Sequence, residues 1–261
     1  MRKSNRALMS AEVMIGFLVL WELLCRVFHL PNYLLPPPSA IFEEIWSAPG
    51  WYLAECGYTL LTTTAGFTLA LLVGVAAAIG ITYSKIIENT VYTLLVSLNS
   101  VPKIALAPLF IIWLGTGVTS KVAVSFLIAV FAIVVDSVLG LRSADPGAID
   151  LMNTMRCSPL QILIKIRLPN ALPYMFAGMK VAISLALVGA IAGEFVASQE
   201  GLGFVILSAQ GMFQTTRVFA AILLLGAMGT ILFGLIDVIE RLVCPWHVSH
   251  RLDDMMAAAR G

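Results

Sequence analysis

Long apolar stretches separated by short polar segments set the pattern of this chain. Five of them read MIGFLVLWELL, TLALLVGVAAAIGI, VAVSFLIAVFAIVV, VAISLALVGAIAG and FAAILLLGAMGTILFGLI. Each lies in a segment that can supply the roughly 20 residues needed to cross a hydrocarbon layer about 30 Å thick. Their Leu, Ala and Ile content, without alternation of polar and apolar residues, favours helices over a β-barrel. The pattern predicts an all-α polytopic membrane protein.

We predict six membrane-spanning helices, near 8–28, 57–82, 86–114, 120–141, 174–197 and 217–243. Pro102 and Pro108 interrupt the third span, and each removes a helical hydrogen bond, so we expect that span to be kinked or split. The first span follows a basic start but no small-residue cleavage site follows it, so we interpret it as retained rather than as a signal peptide. The whole chain, 1–261, then forms one membrane domain.

Composition agrees with a protein whose main solvent is lipid. Of its residues 59% are hydrophobic and 12% are charged, whereas a soluble domain has about 25% charged residues. The net charge of +1 gives no basic field, so a nucleic-acid partner is not predicted. The four cysteines are isolated and form no CxxC pattern. We interpret them as small apolar residues rather than as disulfides or metal ligands.

The distribution of Lys and Arg predicts the orientation, because cytoplasmic loops carry an excess of these residues. With the N-terminus inside, Arg26, Lys121 and Arg217 fall outside. The bases that fall inside are Arg2, Lys3, Arg6, Lys85, Arg142, Arg156, Lys165, Arg167, Arg241, Arg251 and Arg260. Both termini are therefore predicted to be cytoplasmic. Segment 29–56 is then external, and its Trp and Tyr residues favour a helix at the membrane interface.

The connection between the fourth and fifth spans, 142–173, is long and polar for this chain. Asp145, followed by a proline, is a good helix start and predicts a short helix over about 146–156. The string SPLQ, beginning at Ser158, fits a capping box that starts a second helix.

We expect Pro169 and Pro173 to end this second helix before the fifth span. From the residues alone, the loop fits either an amphipathic helix pair on the bilayer or a docking element for a cytosolic partner that transmits a rigid-body motion.

Residues 150–169 resemble the EAA signature of permease subunits of ABC importers: Glu-Ala-Ala, a Gly six positions after the Glu, and an Ile-x-Leu-Pro ending. Here DLM stands for Glu-Ala-Ala, Arg156 stands at the Gly position, and IRLP ends at Pro169. The strings LPPPSAIFEEI, VPKIALAPLFIIWLGTG, LGLRSADP, GEFVASQEGLGFVI and IERLVCPWH resemble the nitrate, sulfonate and taurine type of permease. The resemblance covers about 12–247. It implies a type I importer permease with a cytoplasmic two-helix coupling loop, in the cytoplasmic membrane of a bacterium or archaeon.

The resemblance assigns ATPase coupling to one stretch of the loop: Asp150, Leu151, Met152, Asn153, Met155, Arg156 and Ser158. Asp150 is one methylene shorter than the family Glu, and Met152 is bulkier than Ala. At position 156 a Gly would suit a left-handed residue ending the first helix, where Arg costs roughly 1–2 kcal/mol. We therefore expect either a right-handed turn at the corner or Cys157 in the strained position. A pairing of Arg156 with an acid on the partner is a further hypothesis.

The resemblance also implies partners. Two permease copies, expected to be a homodimer, form a pathway in the bilayer; two cytosolic ABC ATPases bind the coupling loops; an extracytoplasmic binding protein delivers the solute. The chain contains no G-x-x-x-x-G-K-[ST] phosphate loop, and the nearest string, GTGVTSK at 115–121, lacks the second Gly-Lys. We therefore expect ATP and Mg²⁺ on the partner, with no cofactor and no enzyme activity in this chain. ATP binding would shift the pathway from inward-facing to outward-facing.

Polar residues within the spans are candidates for the transport pathway, because such groups are costly in hydrocarbon and face the bundle interior. The candidates are Glu194, Lys103, Asn99, Ser184 and Asp136. For Glu194 a gate competes with a structural hydrogen bond to the neighbouring GLGF turn. For Lys103 an anionic substrate competes with snorkelling of the side chain or bonds to freed carbonyls. Lys180 is a candidate mate for Asp136, whereas the acids that close the sixth span are expected to be solvated.

Two other classes stay open as alternatives. An ion-coupled secondary transporter could use Glu194, Asp136 and Lys180, but the repeated halves of such folds are not evident. A membrane-embedded enzyme would need a catalytic motif, and neither H-E-x-x-H nor G-x-S-x-G occurs. His247 and His250 have a metal-pair spacing without a third ligand nearby, so no metal site is predicted.

The substrate is the least determined property. Related permeases carry nitrate, bicarbonate, taurine and alkanesulfonates, or pyrimidine thiamine precursors and riboflavin. The strings GEFVASQ and PWH favour the heterocycle group over the sulfonate group.

Overall fold

The structure, a computed structural model, describes residues 2–92, 97 and 101–246, and all regular elements in these residues are helical. The α-helices are α1 (Arg2–Val27), α2 (Pro38–Ser47), α3 (Pro49–Tyr83), α4 (Lys85–Ile87), α5 (Ala107–Leu114), α6 (Val118–Arg142), α7 (Pro146–Thr154), α8 (Pro159–Ile162), α9 (Leu168–Ala197), α10 (Leu202–Gly211) and α11 (Thr215–Val243). π-Helical turns cover Glu88–Tyr92 and Leu163–Arg167, and a 3₁₀ turn covers Lys103–Leu106. The prediction of an all-α fold is confirmed.

Four helical segments of the described chain are long and apolar enough to cross a membrane: Pro49–Tyr83, Val118–Arg142, Pro159–Val196 and Thr215–Val243. They correspond to the second, fourth, fifth and sixth predicted spans. The first predicted span falls on α1. The third does not form one continuous helix. Four of the six predicted spans therefore coincide with a candidate spanning helix of the described chain, one lies on the 26-residue helix α1 and one is split.

The third predicted span is divided at its prolines. Pro102 stands just before the 3₁₀ turn, and Pro108 lies in the first turn of α5. The first amide groups of a helix have no helical acceptor, so a proline there removes no hydrogen bond. Each proline therefore marks the start of a new helical segment, in agreement with the expected split.

The core of the bundle is the packing of α6 between α3 and α9. Glycines allow the close approach: a Cβ added at Gly189 of α9 would lie 2.7 Å from the Cα atom of Ser125, and one at Gly74 of α3 would lie 2.8 Å from the Ile133 side chain. In lipid no hydrophobic effect draws helices together, so close van der Waals packing at small residues replaces it. α6, α3 and α9 therefore form one tightly packed unit.

The helix that contains the fifth span runs through both of its prolines, contrary to our expectation that Pro169 and Pro173 would break the chain. Pro169 lies in the first turn of α9 and Pro173 lies inside it. Just before them, the π-helical turn lets the amide of Leu168 bond to the carbonyl of Leu163, five residues back. A π-turn inserts an extra residue per turn and can relieve the crowding that a proline causes. The second loop helix and the span are consequently one continuous segment.

Helices α2, α10 and α11 complete the molecule on the other side of α9. α2 packs against α11, where Glu44 Oε1 accepts a hydrogen bond from Arg217 Nε at 2.9 Å. The expected helix of segment 29–56 is α2, and the last residues of that segment form the first turns of α3. α10 is a short helix between α9 and α11, at the end of the bundle opposite α7 and α8.

Candidate functional site

We call residues 146–170 the elbow: α7, α8, the corner between them, the π-helical turn and the first residues of α9. Asp145 caps α7, since its Oδ2 accepts from the amide of Ala148 at 2.9 Å, and a proline follows at the first helical position. At α8 the amide of Gln161 donates to Ser158 Oγ at 3.3 Å, and the amide of Ser158 donates to Gln161 Oε1 at 2.8 Å. Both predicted helix starts, including the capping box, are confirmed.

The corner of the elbow is a Schellman motif, in which a left-handed residue follows the helix C-terminus. The amide of Arg156 donates to the carbonyl of Asn153 at 2.9 Å, and the amide of Cys157 donates to the carbonyl of Met152 at 3.0 Å. Cys157 Sγ and Met152 Sδ lie 3.8 Å apart, which supplies the side-chain contact that commonly closes this motif.

Arg156 itself takes the left-handed position, with φ +55°. Both conformations that we expected are therefore wrong: the corner is not right-handed, and Cys157 does not take the strained position. The two hydrogen bonds of the motif require the positive φ at this residue, so Arg156 accepts a cost of roughly 1–2 kcal/mol relative to glycine.

The outer face of the elbow exposes large apolar side chains. Exposed fractions lie between 54% and 67% for Leu151, Met155, Leu160 and Ile164. Among the predicted coupling residues, Met152 is half-buried under the corner, and those that are exposed are Asp150, Leu151, Asn153, Met155, Arg156 and Ser158. Leu160 and Ile164, on the apolar side of the second helix, are also exposed, and the predicted coupling set did not include them.

The elbow is fastened to the core by polar contacts from both neighbouring helices. Tyr83 Oη, at the end of α3, donates to the carbonyl of Pro159 at 3.2 Å. Arg167 Nη1 donates to the carbonyl of Leu141, in the last turn of α6, at 2.8 Å. Asn170 Nδ2 donates to Ser143 Oγ at 2.8 Å. A displacement of the elbow would therefore move α3, α6 and α9 with it.

At the opposite end of the bundle, the turn between α9 and α10 is buried under polar side chains from other helices. Glu194 Oε2 accepts from the amide of Gly203 at 2.8 Å and from Thr59 Oγ1 at 3.1 Å. Thr59 Oγ1 in turn accepts from the amide of Leu202 at 2.8 Å. Glu55 Oε2 accepts from the amide of Gly201 at 2.5 Å. These three side chains cap the N-terminus of α10, whose amides and dipole favour negative charge.

Glu194 is fully buried in this cap. Of the two roles weighed for it, these contacts match the structural hydrogen bond to the GLGF turn. The partners from α3 were not predicted, because Glu55 and Thr59 lie more than a hundred residues away along the chain.

Lys121, at the start of the predicted fourth span, was counted among the bases of the outer side, but the structure buries its side chain completely, with Gly193 of α9 opposite. Its Nζ donates to the carbonyl of Thr116, and a Cβ added at Gly193 would lie 3.2 Å from Lys121 Cγ. The glycine opposite leaves room for the lysine stem. Lys121 therefore does not count among the loop charges that set the orientation.

Lys180 joins α9 to α11 rather than pairing with Asp136. Its Nζ lies 2.5 Å from Asp237 Oδ1 and 2.6 Å from Glu240 Oε2, and Arg241 Nη2 lies 2.8 Å from Asp237 Oδ2. Glu240 is buried. The suggested mate for Asp136 is therefore wrong, and the two acids that close the sixth span are not simply solvated.

The remaining pathway candidates lie at separate levels of the bundle. Lys103 Nζ lies 5.3 Å from the ring centre of Phe131, near the middle of α6. Asp136 packs against α9, where a Cβ added at Gly178 would lie 2.9 Å from Asp136 Oδ2. Ser184 is exposed on α9, and its hydroxyl donates to the carbonyl of Lys180 at 3.3 Å. At about 1.5 Å per helical residue, Phe131 and Asp136 are roughly 15 and 22 Å from Lys121, which lies beside the buried cap.

Two sets of predicted residues lie outside the described part of the chain: Asn99, and the histidine pair His247 and His250. Within 2–92, 97 and 101–246, no group of three or more His, Cys, Asp or Glu side chains is arranged to hold a metal ion.

Comparison with known proteins identifies the family. The family model described as "Binding-protein-dependent transport system inner membrane component" matches residues 70–243. A probable ABC transporter permease of Haemophilus influenzae is 34% identical over 220 residues, which cover 84% of this chain and 90% of the relative. The formylaminopyrimidine transport permease ThiX of Halalkalibacterium halodurans is 32% identical over 247 residues, 94% of this chain and 98% of the relative.

Another relative, the riboflavin transport system permease RibX of Chloroflexus aurantiacus, is 32% identical over 234 residues, 89% of this chain and 87% of that protein. Among solved structures, a chain of the MetNI methionine ABC transporter in an inward-facing conformation superposes with a TM-score of 0.68. That match covers 76% of this chain and 98% of the other at 19% identity, so it supports the fold alone.

These matches favour an ABC permease over the alternatives of an ion-coupled transporter or a membrane enzyme. The protein belongs to the family of binding-protein-dependent transport system inner membrane components, and it is a multi-pass membrane permease subunit of an ABC importer.

Proposed function

We propose that this permease is driven by two cytosolic ATPases that bind the elbow, works as a pair of identical copies in the bilayer, and receives its solute from an extracytoplasmic binding protein. The observation that carries the proposal is the apolar outer face of the elbow, defined by Leu151, Met155, Leu160 and Ile164. Large exposed apolar side chains on a polar connection are typical of an interaction surface in proteins.

The ties of the elbow support a mechanical role. Tyr83, Arg167 and Asn170 connect it to α3 and α6, and α8 continues into α9 without a break. A partner that shifts the elbow would therefore shift the tightly packed core as a rigid body, and packed helices switch between discrete arrangements rather than deform continuously. ATP and Mg²⁺ belong to the partner in this scheme, which requires no cofactor in the permease.

The distribution of charge supports a cytoplasmic position for the elbow. Its immediate surroundings carry the bases Lys85, Arg142, Arg156, Lys165 and Arg167. With Lys121 buried, the predicted external bases are reduced to Arg26 and Arg217, and these pair with Glu22 and Glu44 respectively. The positive-inside rule then supports a cytoplasmic position for the elbow and for both termini.

For the pathway we propose the exposed stripe of α9 that includes Ser184, together with Asp136 and Lys103 at its borders. Tyr174, Val181 and Val188 are exposed on the same stripe, at helical spacing. An intramembrane acid or base is costly against lipid, so Asp136 and Lys103 fit better beside a water-filled route or the second copy. Asn99 stays a candidate for the same route, and the buried Glu194 does not line it in this conformation.

For the substrate we propose a pyrimidine or related vitamin-precursor heterocycle. Two relatives that this chain matches at 32% identity are named for formylaminopyrimidine and riboflavin transport. The strings GEFVASQ and PWH, which favour the heterocycle group, support the same choice.

Met155→Asp tests the docking surface. Met155 is 67% exposed, so the change should leave the fold intact while placing a charge on the apolar face of the elbow. We expect loss of co-purification with the co-expressed ATPase and loss of ATP-driven uptake in proteoliposomes.

Met212→Asp is the matched control, because Met212 is also 67% exposed but lies at the opposite end of the bundle, after α10. It should retain the ATPase. Equal ATPase binding by both variants would contradict the proposal.

A further inference from the structure

Arg156 is a long, charged side chain placed where the backbone favours glycine. The Schellman motif at the end of α7 depends on the amides of Arg156 and Cys157 and on the positive φ of Arg156. A right-handed conformation there would break both hydrogen bonds. The strain at this residue is therefore fixed by the corner itself, and a glycine would form the same corner without it.

No contact within the described chain compensates for this strain. Five other arginines donate to a carboxylate or a carbonyl of this chain: Arg26, Arg142, Arg167, Arg217 and Arg241. Arg156 is exposed, and its guanidinium forms no hydrogen bond or ion pair with any residue that the structure describes. No described contact of the Arg156 side chain therefore offsets the strain, and glycine at this position should make the permease more stable.

The surroundings of Arg156 are those of an interface. Met155 precedes it, and Leu151 and Leu160 flank the corner, all more than half exposed. A partner that covers these apolar side chains would also remove water from the guanidinium. A desolvated guanidinium requires hydrogen-bond acceptors, and a carboxylate matches both its charge and its planar fork of N–H donors.

We propose that Arg156 is a specificity-determining residue of the elbow, and that its guanidinium pairs with an Asp or Glu side chain of the ATPase at the edge of the surface that receives Met155. The inference rests on the proposed docking of the ATPase at the elbow. It adds the positive charge of Arg156 to that interface. An ATPase without an Asp or Glu at the matching place would therefore bind more weakly.

The test compares Arg156→Gly, Arg156→Lys and Arg156→Glu in the full-length permease, purified in a neutral detergent without anionic lipid. Two quantities are measured: the unfolding temperature of the permease alone, and the Kd of its complex with the ATPase. Arg156→Gly should unfold at a higher temperature yet bind the ATPase about tenfold more weakly. Arg156→Lys should bind with an affinity between those of the parent and of Arg156→Gly, because it keeps the charge but loses the planar fork of donors. Arg156→Glu should bind more weakly than the glycine variant, because it adds repulsion.

Each alternative outcome has a distinct meaning. If Arg156→Gly binds as tightly as the parent, or if Arg156→Glu binds no more weakly than Arg156→Gly, no carboxylate faces the guanidinium and the inference is overturned. An effect of these variants that emerges only when anionic lipid is added would also overturn it, in favour of a lipid phosphate. Met155→Asp distinguishes failure of the proposed docking from failure of the proposed Arg156 pairing. If that variant still binds the ATPase, the docking at the elbow is refuted.

Discussion

The elbow and the turn between α9 and α10 are both helix junctions with a residue of positive φ, but they are stabilised in opposite ways. Arg156 has φ +55° and Gly201 has φ +99°. At the corner of the elbow the backbone amides of Arg156, Cys157 and Ser158 are satisfied by residues at most five positions away, and large apolar side chains are left exposed. At the buried turn the amides are satisfied by Glu55 and Thr59, 143 to 146 residues away, and by Glu194 nine residues before Gly203.

The elbow therefore suits a surface that binds another protein, whereas the buried turn suits a junction that holds helices of the same chain together. A junction that satisfies its own polar groups can present its outer face to another protein without losing its shape. A junction that depends on distant side chains joins those helices together, here α3, α9 and α10. We therefore expect substitutions at the buried turn to act on stability, and substitutions at the elbow to act on partner binding.

Glu194→Ala should have the largest effect on stability. It removes the acceptor for the amide of Gly203 and for the hydroxyl of Thr59 in a buried site. Leaving two buried donors unsatisfied should cost about 3 kcal/mol or more of the free energy of unfolding. The measurement is thermal unfolding of the purified permease in detergent. Glu200→Ala, at the exposed acid of the same turn, is the control and should leave the Tm unchanged.

Gly201→Ala should destabilise the permease by about 2 kcal/mol. Gly201 has φ +99° and ψ 158°, a region of backbone conformation that is essentially restricted to glycine. An added Cβ would also lie 2.6 Å from both carboxylate oxygens of Glu194. The matched change at the elbow, Arg156→Gly, should raise the Tm. If Gly201→Ala and Arg156→Gly shift the Tm in the same direction, the contrast between the two junctions is wrong.

Thr59→Val should cost about 2 kcal/mol, because the amide of Leu202 loses its acceptor and Glu194 loses one donor while the shape of the side chain is retained. Thr68→Val provides the control on the same helix, since its hydroxyl bonds only to the carbonyl of Thr64, one turn back. Equal Tm shifts for the two valine variants would show that the cap of α10 does not depend on Thr59.

Ser158→Ala should have the smallest effect, about 1 kcal/mol, because it removes one N-cap in an exposed helix start. Its effect on ATPase binding should exceed its effect on Tm, since the cap fixes the corner that carries Met155. Urea or thermal unfolding gives the first quantity and the Kd of the ATPase complex gives the second. A variant that loses stability but binds the ATPase normally would show that the geometry of the corner is not needed for docking.

Local rules were sufficient for the two helix starts of the elbow and insufficient for its corner and for the charges in the bundle. Asp145, Ser158 and Gln161 were assigned correctly because each caps a helix within three residues of itself. Lys121 and Lys180 were not, because their surroundings come from helices that are distant in sequence. The same holds for Pro169 and Pro173, whose effect on the helix depends on the π-turn before them.

The sequence by itself determined the all-α membrane class, the long spanning helices, the split at Pro102 and Pro108, and the two capped helices of the elbow. These follow from hydropathy over about 20 residues and from contacts between near neighbours. Only the tertiary structure decided that Arg156 is left-handed, that Glu194 caps α10 with Glu55 and Thr59, and that Lys180 pairs with Asp237 and Glu240. A buried polar group takes whichever partner the packing brings to it, and a backbone conformation is chosen by the hydrogen bonds of the whole junction, so neither can be determined from residue type and spacing.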